Sequence, residues 1–129
     1  MDELFELKII TPERVFYEGK VSYTSFTTME GEVGIYAGHE PMTMLLYPGV
    51  LSIHEESGVK KAALHAGFVE VTPESVNVLA QIAEWPEEID RNRAEEARIR
   101  AERALREDGS TLREEMALRK AIARIEAAK

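Results

Sequence analysis

An all-β sandwich followed by an antiparallel two-helix hairpin is the fold this sequence predicts, and three observations predict it. Up to about residue 83 the chain is a series of short β-rich runs broken by turn residues. Seven of its eight glycines lie in that part, where turns and bulges need positive φ. At Pro86 the apolar period changes, and from Glu87 to Glu107 there is neither Gly nor Pro.

The strand-like runs begin with 4–10, which Thr11-Pro12 stops, and continue with 15–17, 23–29, 33–36, 42–46 and 50–54. Ser57-Gly58 marks a turn before 59–66, and Thr72-Pro73-Glu74-Ser75 joins 68–71 to 76–79 as a hairpin connection. Many short strands at close spacing indicate a sandwich or flattened barrel. Pro86 suits the first turn of a helix, where a missing N–H is no loss. Ala94, Ala97, Ala101, Ala104 and Leu105 recur at spacings of three and four and form one narrow small-residue face. Asp108-Gly109 ends that helix, and Thr111 with Glu114 matches a capping box for a second one. This helix runs to about Ala128, with Leu118, Ile122 and Ile125 on one face. A short connection makes the two helices antiparallel, each about 25 to 30 Å long. Alanine faces permit close approach but bury little apolar area, so the hairpin is expected to be weakly held and able to open. The expected division is therefore a sandwich over 1–85 and a hairpin over 86–129.

Charge and composition exclude several function classes. The chain has 129 residues and a net charge of -8, which disfavours wrapping a nucleic-acid backbone. Up to Pro86 there are 5 basic and 13 acidic residues, and from Glu87 onward 11 of each, so the whole acid surplus belongs to the β part. No apolar run approaches the roughly 18 to 20 residues of a membrane span, so no direct membrane insertion is expected. Met1-Asp2-Glu3 is acidic where a targeting segment would be basic. There is no cysteine, which excludes disulfides and thiolate chemistry. The three histidines, His39, His54 and His65, fall in no HxH or HExxH spacing, and no P-loop or G-x-S-x-G occurs. No metal site, required cofactor or catalytic activity is expected.

Three stretches carry a resemblance. Glu30-Gly31-Glu32-Val33-Gly34-Ile35-Tyr36-Ala37-Gly38-His39-Glu40-Pro41 resembles an EGE-[LVI]-GI-x-x-GH-x-P signature. Gly67-Phe68-Val69-Glu70-Val71 is followed by Val76-Asn77-Val78-Leu79-Ala80 and Glu84, and Ile89-Asp90-Arg91-Asn92-Arg93-Ala94 looks like an IDxxRA element. Together, in order and over essentially the whole chain, they resemble the epsilon subunit of F-type ATP synthases of bacterial type. The resemblance implies a ten-stranded sandwich with a two-helix domain. It implies a non-catalytic rotor subunit whose sandwich meets the gamma subunit and the c-ring, peripheral on the cytoplasmic face of the membrane. The hairpin either folds on the sandwich or extends along gamma toward the alpha and beta subunits, where it brakes ATP hydrolysis. In some members ATP binds the folded hairpin.

By that similarity Glu84, Asp90, Arg93, Lys120 and Arg124 are candidates for an ATP site. Carboxylates can accept from the adenine amino group or ribose hydroxyls, and the cations can neutralise phosphates. Lys120 stands where arginine is expected and offers a point charge in place of a planar fork. The competing reading has Asp90 as a helix cap, Arg93 paired to a nearby acid and the rest solvated. Arg113, Arg119, Lys120 and Arg124 are candidates for inhibitory contact with acidic surface on beta, against an ordinary solvated helix face. Glu30, Glu32 and His39 are candidates for the stalk and c-ring contact, while Gly31, Gly34 and Gly38 serve conformation. A free-standing ATP-sensing adaptor outside the synthase is the alternative reading.

Overall fold

The computed structural model describes residues 3–108 and 111–129, with only the backbone described at Asp108, so Gly109, expected to end the first helix, lies outside the described residues. Eight strands come first: β1 Phe5–Ile10, β2 Val15–Val21, β3 Tyr23–Thr28, β4 Gly31–Tyr36, β5 Met42–Leu46, β6 Gly49–Glu55, β7 Gly58–Val71 and β8 Ser75–Glu84. A single 3-10 turn, Pro86–Glu88, leads to α1 Arg91–Asp108 and α2 Leu112–Ala127.

Alternation decides which faces turn inward. Phe5, Leu7 and Ile9 of β1 are buried, as are Val76, Val78 and Ala80 of β8. They meet Phe26, Ile35, Leu51, Ile53, Leu64, Val69 and Val71 in one core. Each such side chain contributes about 1.5–3 kcal/mol when fully buried. The strands run β2-β1-β8-β7-β5-β3-β4, and β6 bridges β3 and β7, so the pairing closes on itself as a flattened barrel. Only the β1–β8 pair is described as parallel; the others are antiparallel.

The resemblance implies ten strands, and β7 accounts for much of the difference. The runs 59–66 and 68–71 form one strand that serves two partners, β6 through residues 58–64 and β5 through residues 67–71. Between them Ala66 (φ 30°) and Gly67 (φ 157°) bend the strand without ending it. A Cβ on Gly67 would lie 1.9 Å from the Leu79 carbonyl oxygen, so the close pairing of β7 with β8 at this point requires glycine.

Helix α1 begins at Arg91, not at Glu87 as the absence of Gly and Pro suggested. Pro86 opens the 3-10 turn, Ile89 is extended, and Asp90 caps α1 by accepting from Arg93 N at 3.0 Å. Trp85 stacks on Phe16 at 4.1 Å, and Arg14 grips Glu88 at 2.8 and 2.9 Å, so the connector is clasped to β2. At the other end Thr111 caps α2 as expected, accepting from Glu114 N at 3.3 Å.

The hairpin is antiparallel, with Arg91 donating to Ala128 O across it, and α2 also packs on β6 and β7. Ala94 and Ala101 of α1 are buried, as the small-residue face predicts. On α2 the buried residues are Ala121, Ala123 and Ala127, whereas Ile122 is 42% exposed. Leu118, Ile122 and Ile125 therefore do not form the deepest face. Close approach to Ala63 of β7 admits only small side chains, and Ala63, Ala123 and Ala127 form a second core with Val50 and Ile89 against it.

Candidate functional site

Where the hairpin meets the end of β8, a cavity of about 400 Å³ opens. Glu84 closes β8, Glu88 belongs to the clasped connector and Asp90 is the cap of α1. Arg93, Ala97 and Arg100 follow at spacings of four and three, one stripe of α1, and Arg124 enters from α2. The volume falls within the range of small-molecule sites.

The electrostatics are mixed and partly unspent. Arg124 Nε donates to Glu84 Oε1 at 2.7 Å, tying α2 to β8, with both side chains only partly exposed. His65 Nε2 lies 3.4 Å from the same oxygen. Arg93 and Arg100 are exposed and make no ion pair among the described residues. The Glu88 carboxyl is held below its ordinary range by its hydrogen bonds from Arg14 and the Trp85 amide. Two available guanidiniums on one helix, a third on the other and carboxylates at the connector end make a site suited to a polyanion with a polar, hydrogen-bonding remainder.

The fold thus gathers Glu84, Asp90, Arg93 and Arg124 around one cavity. Asp90 also does what the competing reading assigned to it, since one of its oxygens caps α1. Lys120 does not line the cavity; it lies one turn back on α2, where its charge reaches His65. Sequence reasoning missed Glu88 and Arg100. Arg100 could have been found from its spacing of seven from Arg93, while Glu88 was hidden by the misplaced helix start.

The other candidates are more dispersed. Glu30 and Glu32 sit at the β3–β4 turn, exposed, with the Thr28 hydroxyl accepting from Glu30 N at 3.2 Å. His39 follows the far end of β4, so about 17 Å of strand separates it from Glu30, and the three do not form one loop. Arg113 is exposed, Arg119 lies over the Tyr47 ring at 5.2 Å, and Arg124 is engaged by Glu84. Two of the four inhibitory candidates thus hold the folded hairpin to the sandwich.

One surface had no signal in the runs taken singly. Leu45 pairs with Phe68, Phe68 with Leu79 and Leu79 with Ile10, so these side chains form a row across β5, β7, β8 and β1. Leu45 is 67%, Phe68 41% and Leu79 40% exposed.

The beta-sandwich domain of the ATP synthase delta/epsilon chain matches residues 4–86, and its long alpha-helix domain matches residues 87–129. The chain belongs to the ATP synthase delta/epsilon chain family. Among curated members of the family, the ATP synthase epsilon chain of Clostridium novyi (strain NT) is 43% identical, with 98% of each chain covered. That of Caldanaerobacter subterraneus subsp. tengcongensis is 41% identical over 99% of this chain and 96% of its own. A chain in the cryo-EM structure of the Euglena gracilis mitochondrial ATP synthase (OSCP, F1 and c-ring, rotational state 1) superposes with a TM-score of 0.82 at 27% identity, covering 97% of this chain and 81% of that one. One in the Tetrahymena thermophila mitochondrial ATP synthase, central stalk and c-ring, shares the fold, with a TM-score of 0.58 at 19% identity over 97% and 93%. Epsilon chains are structural stalk subunits of the synthase and not its catalytic ones. No helix among the described residues is long and apolar enough to cross a membrane.

Proposed function

We propose that the chain is a central-stalk subunit of the rotor, with its sandwich docked to gamma and the c-ring and its hairpin acting as an ATP-sensitive brake on hydrolysis. The complex would present it on the cytoplasmic face of the membrane. The exposed row Leu45, Phe68 and Leu79 supports a docked sandwich, because apolar side chains aligned across strands gain most when a partner covers them. A free-standing adaptor has less support, since epsilon chains of the synthase match the chain over nearly its full length.

The observation that carries the ATP reading is the cavity itself. Arg93 and Arg100 come from α1, Arg124 from α2 and Glu84 from β8, so a ligand held by all of them binds only the folded hairpin. At about 100 times its dissociation constant such a ligand stabilises that state by roughly 2.7 kcal/mol. For a hairpin packed through alanine, that is enough to set the population. Magnesium-free ATP at millimolar concentration is expected to raise the melting temperature of the full chain by several degrees, and Arg93→Ala to abolish the rise. No shift in the unaltered chain would overturn ATP binding. In the reconstituted synthase, removal of residues 109–129 is expected to increase ATP hydrolysis; unchanged hydrolysis would overturn the brake.

A further inference from the structure

Beneath α2 lies a histidine that the ATP reading does not use. His65 is two residues beyond Ala63 on β7, so both side chains point to the face that Ala123 and Ala127 cover. It is 1% exposed, among the most buried polar residues of the chain. Its Nε2 reaches Glu84 Oε1, the oxygen that already accepts from Arg124. Its Nδ1 is buried and has no hydrogen-bond partner among the described residues. With Nε2–H donating to Glu84, Nδ1 is a bare lone pair, and a proton added there would become a buried donor without an acceptor.

The charged groups that face His65 are Glu84 on β8 and Arg124 and Lys120 on α2. Two cations thus oppose one carboxylate, which is itself neutralised by Arg124. Burial first, and then the Arg124 charge, hold the imidazole below its ordinary range while the hairpin is docked. Lifting α2 away removes the alanine cover and both cations. It leaves the ring beside Glu84 and water, where a pKa of about 6.5 or higher is expected.

We propose that His65 is a proton-sensitive latch, so that acidification favours release of α2 from the sandwich and with it disassembly of the cavity between them. This rests on the reading above in one respect, that the hairpin can part from the sandwich. The sign follows from proton binding: the released form takes up the proton that the docked form rejects. Docking is therefore strongest above pH about 6.5, and the docked-to-released ratio falls by up to about tenfold per pH unit below it, until the docked histidine itself titrates.

The absence of cysteine makes the test direct. A full-length chain carrying Glu56→Cys and Ala117→Cys, both exposed, takes a donor and acceptor dye on the β6–β7 turn and on α2. Energy transfer is expected to fall between pH 7 and pH 5.5, and His65→Gln to flatten that response. A constant transfer in the parent, or an equal fall in the His65→Gln variant, would overturn the latch. If the variant does not fold, proton NMR of the parent decides, because a docked His65 that titrates at or above the ordinary imidazole range would overturn it too. The same labelled chain, read at pH 6 with and without ATP, separates the two ideas. A response to ATP without a response to pH overturns only the latch; no response to either overturns hairpin movement as well.

Discussion

Gly67 shows how a single position governs the site from a distance. The bend it allows in β7 lets the first half of the strand carry Ala63 and His65 under the hairpin while the second half pairs with β5. Gly67→Ala would drive a Cβ against the Leu79 carbonyl and Ala80 Cα, both backbone atoms that cannot rotate aside. Overpacking and strain each cost about 1–3 kcal/mol, so a loss of about 2–6 kcal/mol is expected in a denaturant melt. A loss below about 1 kcal/mol would mean that β7 can bend against β8 without a glycine. Single residues also mark where the sequence was readable. Glu84, Asp90 and Arg93 sit in recognisable motifs and Arg124 was placed by the family resemblance, and the four do share one cavity. Lys120 was placed with Arg124 by the same resemblance, and at four residues apart the two do share a helix face. One turn of rise still separates the two heads, and the cavity opens beside only one of them.

At the scale of elements, the hairpin is a docked lid whose fit depends on small side chains. Ala123 and Ala127 rest on Ala63, all three less than 5% exposed, and none belongs to the sandwich core around Leu7, Phe26 and Ile53. Ala123→Leu is therefore expected to wedge α2 off β7 at a cost of about 1–3 kcal/mol while leaving the sandwich folded. The readouts are loss of the ATP-dependent melting shift, and unchanged exchange protection of the β1 and β8 amides. Retained ATP response would mean that α2 does not need this seat. The change of period at Pro86 made the helical region legible, but not its first turn. A run without Gly or Pro permits helix without compelling it, and the clasp of Trp85 on Phe16 and Glu88 on Arg14 holds the connector in another geometry. That clasp joins residues 74 apart in the chain, which no local pattern displays. The second helix face was misjudged for a similar reason: periodicity favours the bulkier Ile122, whereas the space under α2 accepts alanine.

At the scale of the molecule, the sandwich carries the whole acid surplus and yet presents an apolar row on one side. Leu45, Phe68 and Leu79 are neighbours only through strand pairing, and they lie 23 and 11 residues apart in sequence. A solvent-facing strand would ordinarily place polar side chains there. Burial of such a row by a partner contributes about 25 cal/mol per Å² of apolar area, so three half-exposed large side chains can matter to assembly. Phe68→Glu is then expected to leave the isolated chain folded, because the side chain is 41% exposed and outside the main core. In the synthase the same change would bury a carboxylate without a partner, costing several kcal/mol unless the interface opens. Co-purification with the gamma subunit should fall at least tenfold while the circular dichroism of the free chain stays unchanged. Full retention of gamma by a folded Phe68→Glu chain would show that the sandwich docks through another face, with the separated candidates Glu32 and His39 then the next to alter.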